Sequence, residues 1–200
     1  MSTLYPVPKE IANDAHIDAK RYQEMYAESI DNPDAFWSKQ ANEFLSWYRS
    51  WDEVSSATFE TGQVSWFRNA TLNVCVNCVD RHLPERANQI ALIWEGDDPS
   101  VEKRVTFQEL HDEVCQLANA LKERGVSKGD RVCIYMPMVL EAAYAMLACA
   151  RLGAIHSVVF GGFSPQALKD RILDSDCRVL ITADEGMRGG RTVPLKENAE

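Results

Sequence analysis

Hydrophobic residues come in alternating strand-length and helix-length groups in the second half of the chain, most clearly between residues 129 and 191. Residues 132–136 and 154–160 are short and almost wholly apolar, which is typical of strands covered on both faces. Leu140–Leu152 is apolar nearly all round, as expected of a buried helix. Val179–Thr182 predicts a third strand. This alternation predicts parallel strands joined by right-handed helical crossovers.

The pattern as a whole predicts an α/β fold, with a parallel, doubly wound sheet and flanking helices. Ile90–Glu95 and the positions around Arg104 predict two further strands. Thr106 and Glu109 have the spacing of a capping box, so a helix should begin there and end at Gly125. A sheet of this type is rarely complete after three such strands. We therefore predict an incomplete domain, in a chain that is the N-terminal piece of a longer polypeptide.

The first part of the chain has aromatic residues at helical spacing. Pro33 fits the first turn of a helix there. Basic residues are not interleaved with these rings, so packing explains them better than stacking on nucleic-acid bases. Residues 52–71 lack apolar repeats and predict a linking segment with a short extended piece. We predict that residues 1–84 are a helical, aromatic-rich N-terminal extension and linking segment packed on a larger α/β domain, whose first part is residues 85–200.

The formal net charge is −9, and most of it comes from the first hundred residues, which have 16 acidic and 8 basic side chains. The second hundred residues have 14 acidic and 13 basic side chains. Broad binding to nucleic acid or to an anionic membrane needs a basic surface, so neither partner is expected. No apolar stretch approaches the roughly 20 residues of a membrane span, and the chain does not start like a signal peptide. We expect a cytoplasmic protein.

The cysteines and histidines do not predict a metal site. Cys75 and Cys78 form a C-x-x-C pair, but zinc would need a second pair at characteristic spacing, and the sequence has none. We interpret them as two residues on one face of a helix over residues 72–83, and the other four cysteines as reduced core residues. The histidines are far apart. We expect His82 and His111 at the surface and His156 in the core.

Two glycine-bearing turns follow strand ends, where ligands collect in open α/β sheets. The first is Phe160-Gly161-Gly162-Phe163, whose glycines let a ligand approach the backbone. It leads into a helix at Ser164, and the free N–H groups of that helix start favour an anion. The alternative is a tight turn in which Ser164 only caps the helix.

The second turn is Arg188-Gly189-Gly190-Arg191. Two guanidinium groups on such a loop could grip a phosphate from two sides, each with paired N–H donors. The alternative is a solvated surface loop with a local Arg–Asp pair. If the two turns converge, we expect a phosphorylated ligand with a flat group that stacks on a phenylalanine of the first turn. No motif for catalysis is found, whether a phosphate-binding P-loop, H-E-x-x-H or G-x-S-x-G, so we assign no catalytic residue.

Several segments resemble the AMP-forming acetyl-coenzyme A synthetase family of the adenylate-forming superfamily. They are NPDAFW, TLNVCVNCVDRHL, WEGDDPS, GDRVCIYMPMVLEAAYAMLACARLGAIHSVVFGGFSP and ITADEGMRGGRTVPLK. The resemblance implies a ligase that makes acetyl-adenylate and diphosphate from acetate and ATP, after which the thiol of coenzyme A (CoA) displaces AMP. It also implies that Arg188, Gly189, Gly190 and Arg191 meet the 3′-phosphate of CoA, and that Phe160, Gly161 and Gly162 line the site of its adenine.

The resemblance covers about the first third of such an enzyme. The family's phosphate loop, its adenine and acyl pockets, its hinge and its catalytic lysine correspond to positions beyond Glu200. The resemblance therefore implies part of the CoA site here, with ATP, its Mg²⁺ and acetate bound by the remainder of the same polypeptide. We expect this segment to be inactive alone. The alternatives are a stand-alone nucleotide- or CoA-binding module without catalysis, and a truncated product without function.

Overall fold

The computed structural model describes residues 5–58 and 60–200, which form two compact units, Met1–Thr71 and Leu72–Glu200. Residues 1–4 and 59, which belong to the predicted N-terminal extension, lie outside the described residues. The packing of the extension on the larger domain stays a prediction.

The first unit contains helices and one β-hairpin. Asp18 caps the second helix by accepting a hydrogen bond from the Arg21 N–H at 2.7 Å, and Pro33 opens the third, as predicted. The segment predicted as a link forms the antiparallel hairpin, which includes the predicted extended piece. The elements are α1 (Lys9–Asp14), α2 (Ala19–Asp31), α3 (Pro33–Phe44), β1 (Glu53–Thr58) and β2 (Gln63–Arg68).

The aromatic residues of this unit pack on one another only in part. The rings of Trp47, Trp51 and Phe67 cluster with centroids 4.9 to 5.5 Å apart. Tyr22 and Tyr26 on α2 stack on each other but stay 57% and 56% exposed. Packing between rings therefore explains the later part of the aromatic pattern, whereas the side chains of α2 lie at the surface of their unit.

The second unit has the predicted alternation of strands and helices. Its elements are α4 (Val74–Cys78), a 3-10 turn (Asp80–His82), α5 (Leu83–Arg86), β3 (Ile90–Glu95), β4 (Glu102–Thr106), α6 (Phe107–Glu123), β5 (Arg131–Met136), α7 (Leu140–Leu152), β6 (Ile155–Phe160), α8 (Pro165–Ser175), β7 (Val179–Thr182), β8 (Gly186–Arg188), β9 (Arg191–Val193) and α9 (Leu195–Ala199). The bounds of α7 and β7 are those predicted, and the mixed α/β class is confirmed.

The centre of this unit is a parallel sheet in the order β6-β5-β7. β5 is buried on both sides, and alternate residues of a strand point to opposite faces. Val132 and Ile134 pack in a core with α6 and α7, whereas Cys133 and Tyr135 pack in a second core with α8 and α9. Helices therefore flank the sheet on both faces.

The prediction that β6 is covered on both faces is wrong. Val159 is buried, but Ile155, His156, Val158 and Phe160 are exposed. The physical reason is that β6 lies at the edge of the described sheet, so neighbours cover less of it than of β5. His156 is therefore a surface residue and not the core residue we predicted.

The helix predicted over residues 72–83 is broken into α4, the 3-10 turn and α5. Both cysteines of the C-x-x-C pair lie in α4, three residues apart, but they differ in exposure: Cys75 is fully buried and Cys78 is exposed. Burial raises the pKa of the Cys75 thiol to about 11, and likewise that of Cys133 and Cys149. Of the four cysteines predicted in the core, Cys133 and Cys149 are buried as predicted, whereas Cys115 and Cys177 are half-buried.

The predicted capping box begins α6. The Thr106 hydroxyl accepts a hydrogen bond from the Glu109 N–H at 3.2 Å, and the Glu109 carboxylate accepts one from the Thr106 N–H at 2.8 Å. The preceding strands, β3 and β4, pair antiparallel as a hairpin outside the parallel sheet. Within the part of the chain that the structure describes, no helix is long and apolar enough to cross a membrane.

Candidate functional site

The two predicted turns meet at one edge of the second unit. Phe160 is the last residue of β6, and Arg188 begins the turn of the hairpin formed by β8 and β9. The guanidinium carbon of Arg188 lies 4.7 Å from the centroid of the Phe160 ring, within the range of a cation–π contact. The convergence that we considered from the sequence is therefore present in the fold.

The second turn is the tip of a β-hairpin. Gly189 and Gly190 have φ of +56° and +72°, as in the type I′ turns that join two strands most tightly. Residues other than glycine are strained at such φ values, which explains why two glycines occupy this turn. Arg188 and Arg191 flank this turn as direct cross-strand partners. Directly opposed residues place their side chains on the same face of a hairpin, so the two arginine side chains leave the backbone side by side.

Both arginines are exposed, and the salt bridges among residues 5–58 and 60–200 include neither of them. Like charges directly opposite each other on a hairpin repel. The pair is thus electrostatically unfavourable in itself and is suited to an anion that lies between the two groups. The Arg–Asp pair of the alternative interpretation is not found among these residues.

An aspartate holds the backbone of this turn instead. One carboxylate oxygen of Asp97 accepts a hydrogen bond from the Gly189 N–H at 2.9 Å, and the other accepts one from the Gly190 N–H at 2.7 Å. These two bonds lower the pKa of Asp97. Asp97 lies in the turn between β3 and β4, and our sequence reasoning did not single it out. Its distance along the chain leaves no local signal that would have identified it.

A buried tyrosine holds the first turn. The Tyr135 hydroxyl lies 3.2 Å from the Gly161 carbonyl oxygen and 3.1 Å from that of Phe163, and it accepts a hydrogen bond from Asn198 Nδ2 at 3.3 Å. A hydroxyl has a single proton, so the two carbonyls share it. Sequence reasoning treated Tyr135 only as part of an apolar strand. The available signal was its hydroxyl, because a buried tyrosine usually needs a polar partner.

The residues of the first turn are packed closely. A Cβ atom added to Gly162 would lie 2.7 Å from Phe160 Cε1 and 3.1 Å from Arg188 Nη1, so a larger residue here would push these two side chains away. The rings of Phe160 and Phe163 meet edge to face, with centroids 5.6 Å apart. Phe160 is therefore already in contact with Arg188 and Phe163. A flat ligand that stacked here would have to displace the guanidinium group or lie on it.

The helix that follows this turn is capped by its own residue. Ser164 Oγ accepts a hydrogen bond from the Ala167 N–H at 3.3 Å. One of the free N–H groups at the start of α8 is thereby satisfied, as in the capping interpretation. We assign no anion to this helix start.

A second group of polar side chains lies on α6, α7 and the 3-10 turn. Arg151 Nη2 on α7 lies 2.7 Å from Asp80 Oδ2, and Asp80 Oδ1 lies 3.6 Å from His111 Nε2 on α6. His111 Nδ1 also meets Asp112 at 3.1 Å. His111 is thus partly buried among carboxylates and is not the simple surface residue that we predicted. These contacts link three elements, so we interpret the group as structural.

Among the described residues, no group of three or more His, Cys, Asp or Glu side chains is arranged as metal ligands would be. These residues therefore do not form a binding site for the Mg²⁺ that the resemblance implies for ATP, and we derive no chemical step from that ion.

The comparisons with known proteins cover nearly the whole chain. The model described as AMP-binding enzyme matches residues 79–199, and the model described as acetyl-coenzyme A synthetase N-terminus matches residues 22–78. An acetyl-coenzyme A synthetase of Saccharophagus degradans is 64% identical over 100% of this chain and 31% of its own length. Acetyl-coenzyme A synthetase 2 of Pseudomonas aeruginosa is 57% identical over 99% of this chain and also 31% of its own length.

The chain therefore spans about a third of the length of these relatives. One family model covers more than half of the chain, and the second ends where the first begins. The chain belongs to the AMP-binding enzyme family and is similar, along its whole length, to the N-terminal third of acetyl-coenzyme A synthetases.

Proposed function

We propose that this chain is the N-terminal part of an acetate–CoA ligase and supplies part of its CoA site. The whole enzyme would convert acetate, ATP and CoA into acetyl-CoA, AMP and diphosphate through acetyl-adenylate. Support comes from the AMP-binding family model and from the relatives named acetyl-coenzyme A synthetase. ATP, its Mg²⁺ and acetate would be bound by the remainder of the same polypeptide, so no residue of this chain is assigned a catalytic role.

The observation that carries this proposal is the cross-strand pair of Arg188 and Arg191. Two exposed guanidinium groups flank one tight turn, and neither belongs to a salt bridge of the described residues. A phosphate between them would relieve their repulsion and accept charge-assisted hydrogen bonds from both. We assign this position to the 3′-phosphate of CoA.

The adenine of CoA would then lie beside the same pair, along Phe160, Gly161 and Gly162. Arg188 touches both sides of this proposed site, because its guanidinium group lies over the Phe160 ring and near Gly162. Planar guanidinium groups stack on aromatic rings. We therefore propose that the adenine stacks on Arg188 or takes its place on Phe160, with the glycine backbone as the floor of the site.

The test uses a full-length polypeptide, in which this chain is followed by the part of the enzyme that its relatives have beyond it. Arg188 and Arg191 are each replaced by alanine in that polypeptide. We expect each change to cost roughly 1.5–3 kcal/mol of CoA binding, which is about a 10- to 150-fold rise in the KM for CoA. Acetate-dependent exchange of diphosphate into ATP reports adenylate formation separately, and the loss should be confined to the step that uses CoA.

Arg178→Ala is the matched control. Arg178 is also exposed, but it precedes β7 and therefore lies at the opposite end of that strand from the hairpin. It removes the same charge without touching the proposed site, so the KM for CoA should not change. An unchanged KM in both Arg188→Ala and Arg191→Ala would remove the proposed phosphate site.

Residues 1–200 alone should release no diphosphate from ATP and acetate, since we place the adenylation machinery in the remainder. Turnover by residues 1–200 would contradict that division. The alternative, a CoA-binding module without catalysis, predicts CoA binding by the longer polypeptide but no acetate-dependent exchange.

We further propose that the three-stranded sheet is the beginning of a larger, doubly wound sheet. In that sheet, further elements of the polypeptide would pack against β6 and bury its exposed residues. The support is that helices already flank both faces of the sheet. We also propose a cytoplasmic location. Free cysteines, three of them buried, suit a reducing compartment.

A further inference from the structure

We infer that Asp97 is a positioning residue for the arginine pair, an inference that rests on the CoA site proposed above. Its carboxylate binds the N–H groups of Gly189 and Gly190, the two residues between Arg188 and Arg191. Asp97 is separated from these two glycines by 92 and 93 residues along the chain. Within the described part of the chain, Asp97 forms a salt bridge with neither guanidinium group, so it acts on the arginines through the backbone of the two glycines between them.

The arginine hairpin needs such a support because it is short. β8 and β9 have three residues each and, among the described strands, pair only with each other. Two-stranded hairpins are marginally stable at best when nothing else holds them. The base of this hairpin is held by Gly186 and by Leu195 just after β9, which are both buried. The glycine tip is exposed; Arg188 contacts Phe160 through its side chain, and the Asp97 carboxylate ties the backbone of the tip to the β3–β4 turn.

Asp97 is itself held in an ordered turn. The Gly96 N–H donates to the Val101 carbonyl at 2.8 Å, and the Val101 N–H donates to the Asp98 carbonyl at 2.9 Å. The neighbouring Asp98 side chain accepts a hydrogen bond from the Ser100 N–H at 2.9 Å. These bonds fix the backbone from which Asp97 reaches out. The β3–β4 hairpin therefore serves as the fixed point for the tip of the β8–β9 hairpin.

This arrangement also decides how the phosphate is held. Successive backbone N–H groups in a turn are a common binding place for anions. Here the Asp97 carboxylate occupies both of them, so the phosphate must be bound by the arginine side chains. The same carboxylate carries a negative charge close to the proposed phosphate. The carboxylate thus favours CoA binding by positioning the arginines and disfavours it by its charge. Comparison with a variant that loses only a charge separates these two effects.

The experiment compares Asp97→Asn with Asp98→Asn in the full polypeptide. Both changes remove one negative charge from the same exposed turn, but Asp98 bonds within its own turn, and the amide oxygen introduced by Asp98→Asn can still accept the bond from the Ser100 N–H. The side-chain amide introduced by Asp97→Asn has one acceptor oxygen and one N–H₂ group, so it can keep only one of the two bonds. We expect the KM for CoA to rise about three- to tenfold in Asp97→Asn and to stay within about twofold in Asp98→Asn, since a charge-assisted bond to the hairpin is lost only in the first.

Two further readouts belong to the same experiment. The kcat at saturating CoA should fall far less than kcat/KM, because the hairpin is only mispositioned and no reacting group is lost. Hydrogen exchange at the amides of residues 189 and 190 should quicken in Asp97→Asn and stay as in the wild type in Asp98→Asn. A fall in the KM for CoA, equal effects of the two variants, or unchanged exchange at residues 189 and 190 would each overturn the inference.

The failure of the proposed function would look different. In that case the unaltered polypeptide itself would lack acetate-dependent exchange of diphosphate into ATP. The hydrogen exchange of residues 189 and 190 would still test the Asp97 contact, since that measurement needs no activity.

Discussion

Tyr135 is a single residue whose hydroxyl fixes the shape of a surface turn from inside the core. Its ring is fully buried beside Leu168 and Leu195, so its position is set by packing. Its hydroxyl then meets two carbonyl oxygens of the turn that we assign to the adenine of CoA. The buried ring is rigid, and the turn acquires that rigidity through the shared hydrogen bond.

We predict that Tyr135→Phe lowers the free energy of unfolding by about 1–2 kcal/mol, because the hydroxyl is lost and two carbonyls are left without their donor. Chemical denaturation with urea measures this. Tyr144→Phe is the control, since Tyr144 is also buried, in the same unit, and its hydroxyl has no hydrogen bond among those of the described residues. Equal losses in the two variants would show that the bonds to the turn are not the cause.

At the scale of elements, α6 shows how a helix start combines local sequence with charge. Thr106 and Glu109 satisfy each other's backbone N–H groups. The Glu109 carboxylate accepts hydrogen bonds from both the N–H and the hydroxyl of Thr106, and these two bonds lower the pKa of Glu109. The carboxylate is therefore more acidic in the folded chain than in the unfolded chain, so the cap stabilises the helix when Glu109 is ionised.

The sign of the pH dependence follows from this pKa. The contribution of Glu109 is fully present above its unfolded pKa and is lost as the pH falls through its lower, folded pKa. We predict that Glu109→Gln lowers the free energy of unfolding near neutral pH and that the difference from the wild type shrinks in acid. Urea denaturation over a pH series measures it, with Glu113→Gln on the same helix as control. A difference that is independent of pH would contradict the role of the carboxylate.

At the scale of the whole molecule, the two units differ in how much core they have. In the first unit, the buried apolar residues among those described are Phe36 and Ala41. In the second unit, β5 and α7 lie in continuous apolar cores. Burial of apolar surface is the main source of stability, so the two units should open at different free energies.

We predict that backbone amides of α2 and α3 exchange with solvent hydrogen at least about tenfold faster than those of β5 and α7. The reason is that opening α2 and α3 exposes little buried surface, whereas opening β5 disrupts both cores. Hydrogen exchange with mass spectrometry on the 200-residue chain measures the rates by peptide. Equal protection of α3 and β5 would contradict the prediction.

The sequence by itself determined the parts of this protein that depend on neighbouring residues. The bounds of α7 and β7 follow from apolar period and from glycine and turn residues at their ends, and the capping box of α6 follows from residues three apart. The two ligand-like turns were also recognisable, because a strand end followed by glycines is a local pattern. Their assignment to CoA comes from family resemblance and stays a proposal.

Only the tertiary structure decided which distant residues meet. The exposure of β6 and His156 follows from the order of strands in the sheet, which apolar composition does not specify. Asp97 reaches the arginine hairpin across 92 residues, and Tyr135 reaches the first turn across 26. The physical reason is that local periodicity depends on backbone geometry over a few residues, whereas such contacts depend on how packed elements bring remote backbone and side-chain groups together.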